Sequence, residues 1–292
     1  MKFTTMKKII LITGTSTGFG KLMTITLSKE GHTVIAGMRG TTGKNADVAK
    51  ELDAIPNVDV VELDITNEDS VNAAVHQVLE KYGKIDVLVN NAGISGFGVV
   101  EGYSIDQVKN MFDVNFYGVL RTYQAVLPSM REVKNGLIIN ITTGASGFTL
   151  PFMVPYMASK FAVETLTEGI QSELRDYNIE NVTLQSGVYP TEMNTGAKAG
   201  IMADKPEIVA AYGDAATDKF NAMGGALFGK MSDFKMDPQT IADGILTLVN
   251  MENGTRPLRF PLDAVAQGTD VEFIKSRAEI KERWAANYGF SL

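Results

Sequence analysis

The chain has 292 residues, of which 45% are hydrophobic and 21% are charged, so it can bury a sizeable core and is not expected to be disordered. Its formal net charge of −7 argues against a nucleic-acid partner, because proteins that bind nucleic acids present a basic face. It has no cysteine and only two histidines, His32 and His76, so thiolate chemistry is excluded and no metal centre is expected.

Short runs rich in Val, Ile and Leu alternate with helix-like stretches along most of the chain. Such runs are typical of parallel strands that are buried on both faces of a sheet, and the alternation predicts right-handed crossovers. The predicted strands are 8–13, 33–38, 58–64, 85–91, 136–142 and 181–187, with a proline-containing edge strand at 256–262, and the predicted helices include 18–30, 67–82, 104–131 and 157–177. The sequence therefore predicts an α/β fold with a doubly wound parallel sheet of about seven strands and helices on both faces.

The alternation loosens between 188 and 236, where five methionines and the run AMGGALFG occur. Methionine suits an adaptable apolar surface, which favours a substrate-binding lid, although an ordinary pair of core-facing helices is the alternative. We expect one domain over 1–292, with a cofactor-binding and catalytic core at 1–187, the lid at 188–236 and a C-terminal helix, edge strand and tail at 237–292. No segment approaches the length of a membrane-spanning helix, so we expect no membrane partner and a cytoplasmic protein.

Three glycines, Gly14, Gly18 and Gly20, occupy the passage from the first predicted strand into the first predicted helix, in the run TGTSTGFG. Glycine lets the backbone approach a pyrophosphate closely, and the N-terminus of a helix attracts an anion. The spacing G-x-x-x-G-x-G is equally compatible with a plain tight turn, so the turn alone does not establish a phosphate site.

Three further motifs follow in chain order: NNAG at 90–93, VNFYG at 114–118 and YMASK at 156–160. Tyr156 and Lys160 are four residues apart, so both project from one face of a helix. Together with the glycine turn, these motifs resemble the short-chain dehydrogenase/reductase family over about 1–190, with a continuation through the predicted edge strand. The branches they resemble most are the hydroxysteroid and retinol dehydrogenases and the carbonyl reductases. The resemblance implies a Rossmann-like fold and an oxidoreductase.

The resemblance also implies roles for the site residues. In the family a tyrosine passes a proton to or from the substrate oxygen while the nicotinamide carries the hydride, which gives this role to Tyr156. Lys160 would lower the pKa of that phenol with its charge and bind the nicotinamide ribose. Thr143 stands where the family has a serine; its hydroxyl can still donate to a carbonyl oxygen, while its methyl group crowds the pocket, and Ser146 is the alternative. Asn115 matches the family's helix asparagine, which holds a water linking the lysine to solvent.

A nicotinamide dinucleotide is the cofactor that the resemblance implies. Asp64 would face the adenine amino group, unless it caps a helix instead, and Ile65 would lie beneath the ring. The other residues expected at the cofactor are Gly14, Ser16, Thr17, Gly18, Phe19, Gly20, Asn91, Ala92, Gly93, Tyr156, Lys160, Gly187, Val188 and Thr191.

The end of the second predicted strand distinguishes the two forms of the cofactor. NAD binding favours an acid about 20 residues after the glycine turn, where this chain has Met38 followed by Arg39. A guanidinium can bind a 2′-phosphate through paired donors, so the sequence predicts NADP(H). An Arg39 that is only a solvated loop charge is the alternative, and it would leave the missing acid unexplained.

The predicted function is an NADP-dependent oxidoreductase that interconverts a ketone or aldehyde and an alcohol. A small hydrophobic substrate is expected, because the lid and the run LPFMVPY at 150–156 bring apolar side chains to the site entrance. The alternative is a non-catalytic dinucleotide-binding regulatory protein on the same fold, although such proteins typically lose the tyrosine or the lysine. An isomerase or dehydratase has no supporting motif here, and a homo-oligomer is left open.

Overall fold

The computed structural model describes residues 6–144, 147–193 and 200–289. The strands in these residues are β1 (Ile9–Thr13), β2 (Thr33–Met38), β3 (Val58–Glu62), β4 (Val87–Asn90), β5 (Gly96–Phe97), β6 (Gly136–Thr143), β7 (Ile179–Ser186), β8 (Ile201–Met202) and β9 (Arg259–Leu262). The α-helices are α1 (Gly18–Lys29), α2 (Ala46–Asp53), α3 (Glu68–Tyr82), α4 (Ile105–Phe112), α5 (Gly118–Val133), α6 (Val154–Gly169), α7 (Gln171–Leu174), α8 (Pro206–Ala211), α9 (Gly213–Asp233), α10 (Gln239–Asn250) and α11 (Thr269–Asn287).

Seven of these strands form one parallel sheet in the order β3-β2-β1-β4-β6-β7-β9. The strand order reverses between β1 and β4, as in a doubly wound Rossmann-like fold, and the predicted fold class is confirmed. The proline-containing strand β9 lies at the edge beside β7, where Pro261 interrupts no central ladder. The strands β5 and β8 form a separate two-stranded pair.

Hydrophobic clusters cover both faces of the sheet. On one face the strand residues Ile10 and Ile12 pack with residues of α1 and α10, such as Met23 and Ile245. On the other face Leu11 and its neighbours pack with residues of α3, α5 and α6. Because each central strand is buried on both faces, its sequence is a continuous apolar run rather than an alternating one.

The carboxyl ends of the central strands meet at one edge of the sheet. Thr13 ends β1, Asn90 ends β4, Thr143 ends β6 and Ser186 ends β7. In open α/β sheets, ligands bind outside this edge at the point where the strand order reverses. The motifs found in the sequence follow these same strand ends.

Two long predicted helices are interrupted. The stretch predicted as one helix over 104–131 consists of α4, a π-helical turn at Asp113–Tyr117 and α5. The stretch predicted over 157–177 begins earlier, with α6, and continues through α7 and a 3₁₀ turn. The predicted lid contains β8, α8 and α9. Most of α9 is exposed, while its Met231 joins the hydrophobic core, so the lid and the core-facing alternative both stay predictions. A search of the described residues finds no helix with the length and apolar character to cross a membrane.

Candidate active site

The turn after β1 brings the backbone close to the space outside the sheet. Gly14 and Gly18 have φ angles of +71° and +53°, a region that side chains rarely adopt. A Cβ added at Gly14 would lie 2.8 Å from the Ala92 Cα, so this turn packs directly against the NNAG segment. The helix α1 begins at Gly18, and its first N–H groups, which have no acceptor within the helix, lie at the end of the helix that borders this space.

The NNAG segment fixes the shape of this turn. The Asn91 side chain donates hydrogen bonds to the carbonyl oxygens of Thr13 and Gly14, at 2.9 and 3.0 Å. The backbone N–H groups of Asn91 and Ala92 donate to the Thr13 hydroxyl, both at 3.1 Å. The NNAG segment therefore holds the glycine turn in its conformation.

Tyr156 and Lys160 lie one turn apart near the start of α6. The Lys160 Nζ donates a hydrogen bond of 2.9 Å to the Ile141 carbonyl oxygen of β6. A Cβ added at Gly93 would lie 3.4 Å from that Nζ, so glycine leaves room beside the ammonium group. The side chain of Lys160 is thereby fixed between β6 and the NNAG segment.

The pKa values of these two groups differ from the sequence-based expectation. Burial raises the pKa of Tyr156 to about 12, whereas Lys160 was expected to lower it. Burial also lowers the pKa of Lys160 to about 8. Burial disfavours the charged form of each group, so it shifts the two pKa values in opposite directions.

Asn115 lies in the π-helical turn and is fully buried. Its Oδ1 accepts a hydrogen bond from the Ile94 N–H, and its Nδ2 donates to the Ile94 carbonyl oxygen and the Ser159 hydroxyl, all at 2.9 Å. Turns of this π-helical type occur frequently at functional sites. Asn115 thus connects α6 to the chain just after NNAG, beside the Tyr156 turn.

Thr143 is the last residue of β6, and its partner in the β7 register is Ser186. The side chain of the preceding residue, Thr142, lies on the other face of the sheet from that of Thr143, and its hydroxyl donates to Glu164 of α6 at 2.6 Å. Thr143 lines the same cavity as Tyr156. Ser146, the alternative to Thr143, lies outside the described residues.

One cavity of about 790 Å³ lies along the carboxyl edge of the sheet, a size typical of cofactor and substrate sites. The predicted residues that line it are Gly14, Ser16, Thr17, Gly18, Phe19, Arg39, Asp64, Ile65, Asn91, Ala92, Gly93, Thr143, Tyr156, Lys160, Gly187, Val188 and Thr191. Gly20 and Asn115 lie behind its wall instead. A Cβ added at Gly20 would lie 2.2 Å from the Gly14 carbonyl oxygen, so this glycine serves the packing of the turn itself.

Charged side chains gather at the end of the cavity near β2 and β3. The Arg39 Nη1 lies 3.8 Å from the Asp64 Oδ2, and both residues line the cavity. Asp64 is not a helix cap, because Asn67 caps α3 by accepting the Ser70 N–H. Lys44 also lines this end, and the sequence analysis missed it because no motif contains it.

Apolar side chains line the opposite end, beyond Tyr156. They come from the segment before α6, from the chain near β5 and β8 and from α9, and include Phe97, Leu150, Met153, Met193, Phe220 and Met223. The Phe220 ring of α9 packs edge-to-face on the Phe152 ring, with centroids 5.7 Å apart. The segment predicted as a lid therefore contributes a wall of this cavity.

Comparison with known proteins assigns the family. The family model described as "short chain dehydrogenase" matches residues 8–201. The chain belongs to the short-chain dehydrogenase family and is an oxidoreductase that acts on the CH–OH/C=O couple, as the sequence predicts.

Curated relatives agree with this assignment. The chain is 38% identical over 189 residues to a 3-ketodihydrosphingosine reductase of Bacteroides thetaiotaomicron, a match that spans 65% of this chain and 65% of that protein. It is 30% identical over 262 residues to the uncharacterized oxidoreductase YusZ of Bacillus subtilis, which covers 88% of this chain and 89% of the relative. The branches named in the sequence analysis are not confirmed by these matches.

Solved structures share the whole architecture. A short-chain dehydrogenase from Streptomyces avermitilis superposes with a TM-score of 0.76 at 27% identity, covering 99% of this chain and 97% of that one. An alcohol dehydrogenase from the archaeon Thermococcus sibiricus, complexed with 5-hydroxy-NADP, gives a TM-score of 0.69 at 25% identity and covers 88% of this chain and 96% of that one.

Proposed function

We propose that the chain is an NADP(H)-dependent carbonyl reductase for a small, neutral, hydrophobic ketone or aldehyde. The observation that carries the proposal is that β6 and α6 bring Thr143, Tyr156 and Lys160 to the wall of the cavity that begins at the glycine turn.

The residues present fit a dinucleotide. The positive φ angles of Gly14 and Gly18 and the start of α1 make a cradle for a pyrophosphate, which a Cβ at Gly14 would disrupt. At the other side of the cradle, Lys160 would donate to the hydroxyls of the nicotinamide ribose. When bound, the nicotinamide supplies or accepts the hydride.

Tyr156 is the proposed general acid and base. With its pKa raised to about 12 by burial, the phenol is protonated at neutral pH, which suits delivery of a proton to a carbonyl oxygen in the reducing direction. Thr143 would donate a second hydrogen bond to that oxygen and stabilise the charge that develops on it. Asn115 would hold the start of α6 in place through Ser159 and Ile94.

The choice of NADP(H) rests on the end of β2. Met38 is buried there and offers no acceptor for a ribose hydroxyl, whereas Arg39 lines the cavity with a half-exposed guanidinium. A guanidinium binds a phosphate through paired, charge-assisted donors. Two solved relatives support the same choice: ElxO has NADP bound, and the Thermococcus sibiricus enzyme has 5-hydroxy-NADP bound. A similar reductase from Brucella melitensis has NADH bound, so the preference for NADP(H) rests on Arg39.

A hydrophobic substrate is supported by the apolar end of the cavity. Met153, Met193 and Phe220 enclose the space beyond Tyr156, and flexible methionine side chains adapt to varied apolar shapes. Two curated relatives have names that denote ketone reduction: 3-ketodihydrosphingosine reductase and 3-oxoacyl-[acyl-carrier-protein] reductase. The non-catalytic alternative is not favoured, because both Tyr156 and Lys160 are retained. A homo-oligomer and the division into 1–187, 188–236 and 237–292 stay predictions.

A screen of ketones and aldehydes tests the proposal, with consumption of NADPH and of NADH followed by absorbance at matched concentrations. We expect apolar ketones to be reduced faster with NADPH than with NADH, and keto acids and keto sugars to react poorly. No turnover of any carbonyl or alcohol, with a correctly folded protein that binds NADPH, would support the non-catalytic alternative.

A further inference from the structure

The loop between β2 and α2 folds back on itself and closes a compact turn. The Gly40 carbonyl oxygen accepts hydrogen bonds from the N–H groups of Gly43 and Asn45, both at 3.0 Å. The Asn45 side chain donates to the Arg39 carbonyl oxygen at 2.6 Å. The loop is therefore internally ordered, and its two ends, Arg39 and Asn45, both line the cavity.

Glu62, the last residue of β3, holds this loop against the sheet. One carboxylate oxygen accepts the Gly40 N–H at 2.7 Å. The other accepts the Thr41 N–H at 2.8 Å and the Thr41 hydroxyl at 2.6 Å. Burial opposes ionisation of Glu62, but the hydrogen bonds from Thr41 and Gly40 outweigh it and hold the pKa of the carboxyl below its usual value.

The ordered loop places Lys44 beside Arg39. A Cβ added at Gly40, where φ is +66°, would lie 3.1 Å from the Lys44 Cγ, so the lysine stem crosses the turn directly over this glycine. Lys44 lines the same end of the cavity as Arg39 and Asp64. The charge of Lys44 reaches this end: together with the Thr66 hydrogen bonds and Arg39, it outweighs burial and lowers the pKa of Asp64.

We propose that Lys44 is a second cation for the 2′-phosphate of NADP(H), and that Glu62 is a positioning residue that holds the loop so that Arg39 and Lys44 converge on that phosphate. The inference rests on the proposed function, because it requires the 2′-phosphorylated cofactor. It goes beyond the sequence motifs, in which Arg39 alone was assigned to the phosphate.

Two cations suit this ligand better than one. A phosphate monoester carries more than one negative charge at neutral pH, and Arg39 is already attracted to Asp64 at 3.8 Å. Lys44 adds a flexible point charge from the other side of the turn. Because solvent reaches this end of the cavity, we expect Lys44 to tighten binding of the phosphate by about five- to tenfold, between the effect of an exposed ion pair and that of a charge-assisted hydrogen bond.

The first test measures the dissociation constants of NADPH and NADH by nicotinamide fluorescence for wild type and Lys44→Met. Lys50→Met is the matched control, since it removes the same charge from an exposed position on α2. We expect Lys44→Met to weaken NADPH by about five- to tenfold and to leave NADH within about twofold, while Lys50→Met changes neither.

The outcomes separate this inference from the proposed function. A wild type that prefers NADPH, combined with equal NADPH affinity in Lys44→Met and Lys50→Met, would overturn the role of Lys44 and leave the NADP preference intact. A wild type that binds NADH as tightly as NADPH would overturn the cofactor preference itself, and the role of Lys44 with it.

Glu62→Gln tests the positioning role by the sign of its effect. If Glu62 acted only through its charge, removing that charge near a phosphate would tighten NADPH. If Glu62 holds the loop, the amide loses one of its two acceptor oxygens and NADPH binding weakens while NADH binding changes little. Glu51→Gln, which removes the carboxylate that pairs with Lys21 on the surface, is the control for charge alone. Tighter NADPH binding in Glu62→Gln, or an effect equal to that of Glu51→Gln, would overturn the positioning role.

Discussion

At the scale of single residues, burial sets the protonation of the two ionisable groups at the site. The phenol of Tyr156 has a pKa raised to about 12, and the ammonium of Lys160 a pKa lowered to about 8, both because burial disfavours the charged form. A cationic Lys160 beside a neutral Tyr156 is the state expected at neutral pH. In this state the site holds a proton on Tyr156 that a carbonyl oxygen can accept.

Tyr156→Phe should abolish turnover and leave NADPH binding nearly intact, because only the phenolic oxygen is removed. Loss of a positioned general acid costs about 10²- to 10⁴-fold in rate. The measurement is kcat on the best carbonyl from the screen, with the NADPH dissociation constant determined in parallel. Tyr177→Phe is the control, since this ring lies near Arg131, away from the cavity. Wild-type kcat in Tyr156→Phe would refute the assignment.

Thr143 should act through its hydroxyl rather than its shape. Thr143→Ser should keep or raise kcat, most clearly on bulky ketones, because the methyl group that crowds the pocket is removed. Thr143→Val should lose about 10²- to 10³-fold, the usual effect of removing one donor to a developing oxyanion. Rates for both variants and for Ser146→Ala decide the point. A fully active Thr143→Val with an inactive Ser146→Ala would transfer the role to Ser146.

At the scale of secondary-structure elements, the central sheet was predictable and the periphery was not. Strands buried on both faces, such as β1 with Ile10, Leu11 and Ile12, give short apolar runs, and their length and the turn residues beside them mark them as strands. The helix α2 was missed because its eight residues follow a glycine- and threonine-rich loop and bury only Ala49 and Leu52. The helix α11 was left in the predicted C-terminal tail, since it buries little and has no clear apolar face.

The residues of the candidate site likewise fall into those that the sequence revealed and those that it did not. Tyr156, Lys160 and the glycine turn were found from the sequence because they recur in motifs of fixed spacing. Lys44 and Glu62 have no such spacing: Lys44 lies in the loop that joins β2 to α2, and Glu62 at the end of β3 accepts hydrogen bonds from Gly40 and Thr41 of that loop. Side chains that meet only through tertiary structure leave no local pattern for a sequence to show.

The helix α9 lines the apolar end of the cavity, and substitution of its Phe220 tests whether this helix contacts the substrate. Phe152 has a φ of +59°, an uncommon backbone for a bulky residue, and this backbone positions its ring against Phe220. Phe220 also lines the apolar end of the cavity, so Phe220→Ala removes apolar surface that an apolar ketone would contact and should raise its KM by about two- to tenfold. The NADPH dissociation constant should not change.

Steady-state kinetics on Phe220→Ala and on Asp218→Ala, an exposed position on the same helix, provide the comparison. An unchanged KM in Phe220→Ala would show that α9 does not enclose the substrate. An equal rise in both variants would show that the effect comes from the helix as a whole and not from the ring.

At the scale of the whole molecule, a chain of ion pairs joins the sheet, α6 and α11. Glu164 of α6 accepts hydrogen bonds from Thr142 of β6 and Gln185 of β7 and pairs with Arg259 of β9 at 3.0 Å. Arg259 also contacts Glu168 of α6. Arg277 of α11 pairs with that same Glu168 at 2.8 Å, and Lys281 joins it.

The loss of stability on removing one of these ion pairs depends on how deeply that pair is buried. The side chains of Glu164 and Arg259 are 1% and 6% exposed, whereas that of Lys281 is 36% exposed. Removing one partner of a buried pair leaves an uncompensated charge in the interior, which costs about 3–5 kcal/mol. An exposed pair contributes about 0–1 kcal/mol, because solvent already stabilises the separate ions.

Arg259→Met should therefore lower the free energy of unfolding by about 3–5 kcal/mol, and Lys281→Met by about 1 kcal/mol or less. Urea denaturation of both variants measures the difference. Glu164→Gln combined with Arg259→Met should be less destabilising than Arg259→Met alone, because no buried charge then remains unpaired and the amide oxygen can still accept from Thr142 and Gln185. It should recover a folded protein if the single variant does not fold. Equal loss of stability in Arg259→Met and Lys281→Met would show that the buried pair contributes no more than a surface one. In that case, apolar packing between the sheet and α6, rather than the Glu164–Arg259 pair, would hold α6 against β6 and β7.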